Sequence, residues 1–440
     1  MSDVRQRAPQ PPGGLGSGAL GVVRGAPVGP LLALIALALA TILSLAFVFG
    51  DLGALGLSAG PGGGEGNGGG GGIQHTPDPS IVFTPPPVQR PRFGGTILFV
   101  KAGDIWSITG EAVRRLTSDG HDASPSWSPD GGTIYFVQTR SKRASALYQG
   151  AVSDYDLEYP LIMRMAADGT AATVVKSGLF STGSGHSWFS WDLQPELSPD
   201  GKTLALVSNA NAPFGGDVVL SLMSATGGKV STPDLPSYTS LGHSDPAWSP
   251  DGKTIAFTYQ ARDASDPSLG APRIALYTVA TKRYRFLTGP GCARPSWSPD
   301  GRWITAESVE RGRGRDVVIL DARTGEEVAR VTSDGQSAAP VWSPDGGWIG
   351  YLDTSGISID LKLVELGPGK PFAVTKTWQV TTDSQLEAPS GLAWWTSAAE
   401  LPARPTTPAA TPTPTPSPTL APAGSSGPGG LGGPSATATP

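Results

Sequence analysis

The sequence predicts an all-β protein, a six-bladed β-propeller of four-stranded antiparallel blades that is preceded by one transmembrane helix. Three observations support this prediction: a phrase that recurs five times along the chain, the regular spacing of its copies, and one uncharged segment near the N-terminus. Internal repetition is considered first, because a fixed repeat period determines the architecture of the whole fold.

The recurring phrase reads as a tight turn between two strands, as in SPSWSPDGGTIYFV at 124–137. Ser-Pro-Asp-Gly is typical of a type I turn, because Pro fixes φ at the second position and Gly closes the turn. The flanking aromatic and β-branched residues predict strands, which we name A before the turn and B after it. We expect structural roles, the tryptophans packing blade against blade, for Trp127, Pro129, Asp130, Gly131, Pro199, Asp200, Gly201, Trp248, Pro250, Asp251, Gly252, Trp297, Pro299, Asp300, Gly301, Trp342, Pro344, Asp345 and Gly346.

The spacing of the copies indicates propeller blades. Successive turn aspartates are 70, 51, 49 and 45 residues apart, and ~40–50 residues accommodate four short strands, A to D. An altered sixth copy at 388–401 places Trp395 where Trp342 stands, and the stretch 94–120 has strands B to D without an A strand. The two ends therefore complete one blade, which predicts a closed ring of six blades without open sheet edges.

The P-x-W-S-P-D-G-x-x-I-x-F phrase resembles the WD-like propeller repeat of the TolB family over roughly residues 94–402. The resemblance implies the propeller fold. TolB proteins of the Tol-Pal type also carry an α/β domain before the propeller, whereas residues 58–95 here are rich in Gly and then in Pro. Propellers support many unrelated activities, so the fold by itself does not define the function.

The uncharged segment Leu31–Phe49 is long enough to cross ~30 Å of hydrocarbon as a helix. Arginines precede it and acidic residues follow it, which favours a cytoplasmic N-terminus. A cleaved signal peptide is the alternative. We expect a single-pass cell-membrane protein with an extracytoplasmic propeller, organised as a cytoplasmic segment (1–27), a transmembrane helix (28–50), a Gly/Pro-rich tether (51–93), the propeller (94–402) and a disordered Pro/Thr-rich tail (403–440).

Composition and motifs exclude several functions. The net charge is −5, so the chain lacks the basic patch of nucleic-acid-binding proteins. No H-E-x-x-H or C-x-x-C motif is present, and we expect neither an enzyme nor a cofactor. Two metal sites are conceivable, but loop histidines and turn-capping aspartates are commoner, so no metal is expected at His121, His186 and His243 or at Asp119, Asp122, Asp245 and Asp334.

The loops predict which face of the propeller is functional. D–A and B–C connections share one face of an antiparallel blade ring, and the long, varied connections lie there, where a rigid scaffold can present them. The aromatic residues of this face are either an exposed platform or a cover for the blade beneath. The candidate binding residues are Arg140, Lys142, Arg143, Tyr148, Trp188, Phe189, Trp191, Arg262, Arg311 and Arg313.

The favoured function is a monomeric, membrane-tethered binding or scaffold module for a protein, peptide or glycan at the cell envelope. A propeller enzyme of the glycoside hydrolase or lyase type is the alternative, and it needs convergent acidic residues at the channel mouth. A sensor ectodomain is a further alternative. The ligand itself is not predicted by any motif.

Overall fold

The structure, a computed structural model, describes residues 91–148, 151–183, 185–213, 216–236, 242–260, 271–310, 312–367, 372–397 and 399–401. Within these ranges the chain is all-β apart from one 3₁₀ turn, Ala388–Ser390. Strand-forming residues alternate with the Ser-Pro-Asp-Gly turns, as the sequence predicts. The described residues contain no helix long and apolar enough to cross a membrane, and the predicted span, the tether up to residue 90 and the tail lie outside them, so these remain predictions.

The strands form six blade sheets and one separate two-stranded sheet. The first three sheets in chain order contain β1 (Thr96–Lys101), β2 (Asp104–Thr109) and β3 (Ala112–Arg115), then β4 (Asp122–Trp127), β5 (Thr133–Tyr148), β6 (Ala151–Ala166) and β7 (Thr173–Ser177), and, after a separate hairpin of β8 (Leu179–Gly183) and β9 (His186–Phe189), β10 (Asp192–Leu197), β11 (Thr203–Ser208) and β12 (Val219–Ser224).

The remaining sheets contain β13 (His243–Trp248), β14 (Thr254–Tyr259), β15 (Arg273–Thr278) and β16 (Arg283–Phe286), then β17 (Cys292–Trp297), β18 (Trp303–Glu310), β19 (Gly314–Asp321) and β20 (Glu327–Arg330), and finally β21 (Ser337–Trp342), β22 (Trp348–Asp353), β23 (Asp360–Leu366) and β24 (Val374–Gln379). Strand β25 (Ala393–Trp395) pairs with β1 and completes the first sheet.

The six sheets are the blades of a closed ring. Each A strand contacts the A strands of both neighbouring blades, in the order β25, β4, β10, β13, β17, β21 and back to β25. The predicted six-bladed propeller is therefore confirmed for the described residues. The third blade departs from four strands, because its outer strand is reduced to a single bridge between Leu222 and Ser231.

The Ser-Pro-Asp-Gly turn has the same hydrogen bonds in each copy. In the first, the Gly131 N–H donates to the Ser128 carbonyl at 2.9 Å, which closes a β-turn. The Ser128 hydroxyl donates to the Asp130 carboxylate at 2.5 Å and accepts the Thr133 N–H at 2.9 Å. The hydroxyl and the Gly132 N–H lower the pKa of Asp130. Ser and Asp therefore recur because the turn uses both side chains.

The hydrophobic core is divided among the interfaces between blades. Ala205 and Leu220 of the third blade pack with Trp248, Ile255 and Phe257 of the fourth, and all five are buried. The Trp248 indole N–H also donates across this interface, to the Glu196 carbonyl at 3.1 Å. Removal of these apolar surfaces from water provides ~25 cal/mol per Å² and holds neighbouring blades together.

The register of the closing strand differs from the prediction. Trp342 pairs with Ile349, and the equivalent residue of the first blade, Ile97, pairs with Trp394. Trp394 therefore has the position that the sequence suggested for Trp395. Trp395 instead lies against the ring of Trp127, at a centroid distance of 5.8 Å, and donates its indole N–H to the Pro129 carbonyl.

Candidate functional site

The longest B–C connection is a β-hairpin and not the loop that the sequence suggested. Strands β5 and β6 stay paired from Thr133 opposite Ala166 to Tyr148 opposite Ala151, whereas β4 pairs with β5 only up to Gln138 and β7 pairs with β6 only from Leu161. Residues 139–148 and 151–160 therefore extend beyond the blade on the D–A/B–C face, and we call them the arm. Strand β9 packs against β5.

The predicted basic residues of the arm have partners within the chain. Arg140 donates to the Gln138 side-chain oxygen at 2.8 Å and lies 3.6 Å from Asp119. Arg143 is paired with Asp156 across the hairpin at 3.0 Å, and Lys142 is exposed. Because exposed ion pairs contribute little to stability, these side chains remain available for contacts. The side chain of Tyr148 lies outside the described residues.

The predicted aromatic residues form one cluster beside the arm. Trp188 and Phe189 are stacked with ring centroids 5.5 Å apart, and Trp191 meets Phe189 edge-on at 5.1 Å. All three are half-buried, and Trp188 donates to the Pro213 carbonyl at 3.3 Å. The cluster thus both packs on the third blade and leaves ring surface exposed, which combines the two alternatives that the sequence left open.

The other predicted contacts are dispersed. Arg313 lies in the B–C turn of the fifth blade and pairs with Glu310 at 3.1 Å. Arg262 and Arg311 lie outside the described residues. The structure therefore brings together the arm and the aromatic cluster and does not place Arg313 with them.

A cavity of about 460 Å³ lies on the propeller axis. The A strands of all six blades line it, together with prolines of the Ser-Pro-Asp-Gly turns such as Pro250, Pro299 and Pro344. None of the described residues that the sequence nominated for binding lines this cavity. Its size falls within the range of ligand sites, and its lining combines polar and apolar surface.

A repeated β-bulge shapes the polar end of the cavity. In five blades the residue before the A-strand proline has a φ between 50° and 53°, and the ladder shifts register there. Such a φ is uncommon for residues other than Gly, and bulges redirect side chains. The five residues, all of which line the cavity, are Ser124, Gln194, Asp245, Arg294 and Ala339.

Charged residues at this polar end of the cavity, which we call the polar layer, form one network. The Arg294 Nε lies 3.9 Å from the Asp245 carboxylate and 3.5 Å from that of Glu307, and the Arg315 Nε lies 3.8 Å from Glu307. Burial alone would lower the pKa of Arg294, but the two carboxylates outweigh it and the pKa is raised. Arg294 also donates to the Ala388 carbonyl at 2.7 Å, which links the fifth blade to the closing segment.

Glu196 is a second, separate polar feature of the cavity. It precedes Leu197, at the position where the five blades with a Trp in the A strand have Ser126, Ala247, Ser296, Val341 and Ala393. Burial raises its pKa to about 8, although the carboxylate accepts the Trp248 N–H at 3.2 Å. No basic side chain among the described residues contributes to this shift. Glu196 is therefore a carboxyl group without a cationic partner.

The histidines do not form the metal site that the sequence left conceivable. His243 is buried, accepts the Leu220 N–H at its Nδ1 and contacts the Pro236 carbonyl through its Nε2. His121 is exposed and contacts the Asp119 carbonyl. Among the described residues, the one group of three potential metal-ligating side chains consists of aspartates and contains no histidine.

Sequence reasoning missed the axial cavity, although a signal for it was present. Equivalent positions of the repeated phrase point in equivalent directions, so a residue that breaks the repeat marks what is particular to this channel. Glu196 stands among Ser, Ala and Val at its position, and Asp245 and Arg294 stand among Ser, Gln and Ala at theirs.

The fold and the cavity define a six-bladed propeller with an axial pocket. No protein-family model matches the sequence, and no curated protein matches it. Among solved structures, the chain resembles TolB from Acinetobacter baumannii (22% identity, 69% of this chain and 67% of that one, TM-score 0.48) and a putative TolB from Agrobacterium tumefaciens (18%, 69% and 98%, 0.44). It also resembles an oligogalacturonate lyase from Vibrio parahaemolyticus (11%, 62% and 74%, 0.40). Likeness at this level concerns the fold alone, and the propeller itself is shown by the six blades described above.

Proposed function

We propose that this protein is a binding propeller, tethered to the cell membrane and exposed outside the cytoplasm, that holds a segment of a partner protein or peptide in its axial cavity. The observation that supports this function is Glu196, a carboxyl group in a cavity lined by all six blades, without a basic partner among the residues that the structure describes. Its pKa of about 8 keeps this carboxyl protonated at neutral pH until a cation lies beside it. A ligand that presents an ammonium, guanidinium or other donor group supplies the missing partner.

The D–A/B–C face is the proposed docking surface around the cavity. The arm and the aromatic cluster lie on it, and the polar layer of Asp245 and Arg294 is the end of the cavity nearer to this face, because each A strand begins there. Half-buried Trp and exposed Arg side chains are the residue types that dominate binding energy at protein interfaces.

Capture of partners by the full chain in detergent tests this function. The bait is crosslinked to solubilised envelope proteins and the captured segments are identified by mass spectrometry. Glu196→Gln keeps the shape of the side chain but prevents it from ionising, and we expect at least tenfold weaker capture, since a hydrogen bond to a charged group contributes ~1.5–3 kcal/mol. A combined Arg140→Ala, Arg143→Ala and Trp188→Ala variant tests the docking face.

The matched control carries Lys202→Ala and Lys253→Ala, both exposed next to Ser-Pro-Asp-Gly turns on the opposite face. Capture that is reduced by the control but not by Glu196→Gln contradicts the proposal. Capture that is lost with Glu196→Gln and kept by the docking-face variant supports the cavity but not the docking face.

Catalysis is the second candidate, and one observation favours it. A carboxyl group with a pKa of about 8 is protonated at neutral pH, which is the state that a general acid requires. Asp245 lines the same cavity and is the carboxylate with which Glu196 would act. Turnover of an oligosaccharide by the wild type, lost in Glu196→Gln, would replace the binding proposal with this one.

A further inference from the structure

Three aspartates meet where the first and second blades join. Asp104 begins β2, Asp119 lies in the D–A connection, and Asp122 begins β4. One carboxylate oxygen of each lies within 4.8 Å of those of the other two. Asp104 accepts the Gly120 N–H at 3.0 Å and pairs with Arg115 at 2.5 Å.

The Gln138 amide nitrogen bridges the other two carboxylates, at 2.5 Å from Asp119 Oδ2 and 2.9 Å from Asp122 Oδ1. Arg140 approaches Asp119 Oδ2 to 3.6 Å. Among the described residues, Asp119 Oδ1 accepts one hydrogen bond, from the His121 N–H at a long 3.4 Å. The side-chain donors of the corner thus converge on Asp119 Oδ2 and Asp122 Oδ1.

The Asp122 side chain is 2% exposed, and its Oδ2 atom is buried without a hydrogen-bond partner among the described residues. The Thr117 hydroxyl lies nearby and favours the ionised carboxyl, but it accepts the Ile105 N–H and forms no hydrogen bond to Oδ2. A buried acceptor that lacks a donor costs ~1–3 kcal/mol, and more if it is charged.

The equivalent corner between the fifth and sixth blades has two carboxylates, and a hydroxyl group takes the place of the third. Asp316 accepts the Gly335 N–H and pairs with Arg330, as Asp104 does with Gly120 and Arg115. There Ser337, which is fully buried, occupies the position of Asp122 and donates its hydroxyl to Asp334 at 3.0 Å. Asp122 replaces that donor with an acceptor.

A carboxylate at this position can also be satisfied by a cation. Asp192 begins the A strand of the third blade and is fully buried. It receives the Lys176 ammonium at 2.9 Å and the hydroxyls of Ser190 and Ser208. Asp122 has no ammonium partner, and its Oδ2 atom has no hydrogen-bond donor, in the part of the chain that the structure describes.

We propose that the corner formed by Asp104, Asp119 and Asp122 binds a Ca²⁺ ion. One carboxylate oxygen of each aspartate lies within 4.8 Å of the other two, close enough for all three to reach one ion. Ca²⁺ accepts 6–8 oxygen ligands in flexible geometry, whereas Mg²⁺ demands near-ideal octahedral geometry. Each carboxylate retains unused lone pairs beside its present donors. Because Asp104 belongs to the first blade and Asp122 to the second, the ion ties the closing blade to its neighbour.

Thermal unfolding of the full chain at pH 7.5, with millimolar Ca²⁺ or with EDTA, tests the site. Binding to the folded state raises the melting temperature progressively with Ca²⁺ concentration. The Asp122→Ser variant copies the Ser337 corner and is expected to fold and to lose the Ca²⁺-dependent rise. The Asp192→Ser variant changes the equivalent position of the next blade and is expected to keep that rise even if it is less stable.

Two results would overturn the proposal. The first is the absence of any Ca²⁺ response in the wild type, and the second is an equal response in the wild type and in Asp122→Ser, which would place the ion elsewhere. If Asp122→Ser does not fold, Asp122→Asn provides the same comparison. A wild type that responds to mild acidification and not to Ca²⁺ would show that a proton shared by Asp119 and Asp122 satisfies the corner instead.

Discussion

At the residue scale, Glu196 gives the protein a defined pH dependence. Its folded-state pKa of about 8 lies above its ordinary value of 4.5, so the folded protein retains a proton that the unfolded chain releases. This contribution to stability is complete below pH 4.5 and is lost as the pH rises through 8. The lining of the cavity therefore favours the protonated carboxyl until a ligand provides a partner.

We predict that Glu196→Gln removes this part of the pH dependence. From about pH 5 to about pH 8, the free energy of unfolding of the wild type is expected to fall relative to that of the variant. Urea denaturation across this pH range measures both free energies. Glu158→Gln, on the exposed side of the arm, is the control and should follow the wild type. Parallel profiles for wild type and Glu196→Gln would show that the carboxyl is solvated.

His243 contributes a pH dependence of stability that is opposite in sign to that of Glu196. Burial lowers its pKa from 6.5 to about 4, and its Nδ1 accepts the Leu220 N–H, so the folded protein needs the neutral ring. The resulting stability is complete above pH 6.5 and is lost as the pH falls through 4. We predict a flatter acid limb of the stability profile for His243→Asn than for the wild type, and a histidine NMR titration midpoint near 6.5 would contradict this.

At the scale of elements, the blade interfaces carry the stability of the propeller. Trp342 is 5% exposed and packs edge-on against Phe372 at a centroid distance of 5.8 Å, in a cluster with Trp303 and Val317 of the preceding blade. Its loss leaves a cavity that the surrounding strands cannot fill, because they are held by their own ladders.

We predict that Trp342→Ala lowers the free energy of unfolding by about 3–5 kcal/mol, the usual cost of removing a buried aromatic side chain. Urea denaturation measures it. Ile357→Ala, at a fully exposed position of the same blade, should change the free energy by less than ~0.5 kcal/mol. A Trp342→Ala change as small as that of Ile357→Ala would mean that the tryptophan does not hold the blades together.

The elements differ in how far the sequence predicts them. The Ser-Pro-Asp-Gly turns were predicted because their chemistry is local, and the structure shows both side chains engaged. The arm was mistaken for a loop, because residues 138–159 carry no hydrophobic alternation against a core; its strands are held by each other and by β9. The bulge before each A-strand proline was also missed, because Pro normally disfavours such a conformation in the preceding residue.

At the scale of the whole molecule, the six-bladed ring follows from repetition. The incomplete first and last copies required closure by both ends, and strand β25 beside β1 provides it. The binding site was harder to predict, because its residues come from different blades. Glu196, Asp245 and Arg294 are far apart in the sequence and line one cavity only because every A strand faces the axis. The site therefore depends on the ring and not on any local motif.

The most direct test of the central claim, that the axial cavity holds a partner, is site-specific photocrosslinking on the full chain. Val341 lines the cavity, and Val374, on the outer strand of the same blade, is exposed. Val341→benzoylphenylalanine is predicted to crosslink a discrete partner segment from envelope extract, and Val374→benzoylphenylalanine is predicted not to do so. Crosslinks to a discrete partner from Val374 and none from Val341 would contradict the claim and place recognition on the outside of the propeller.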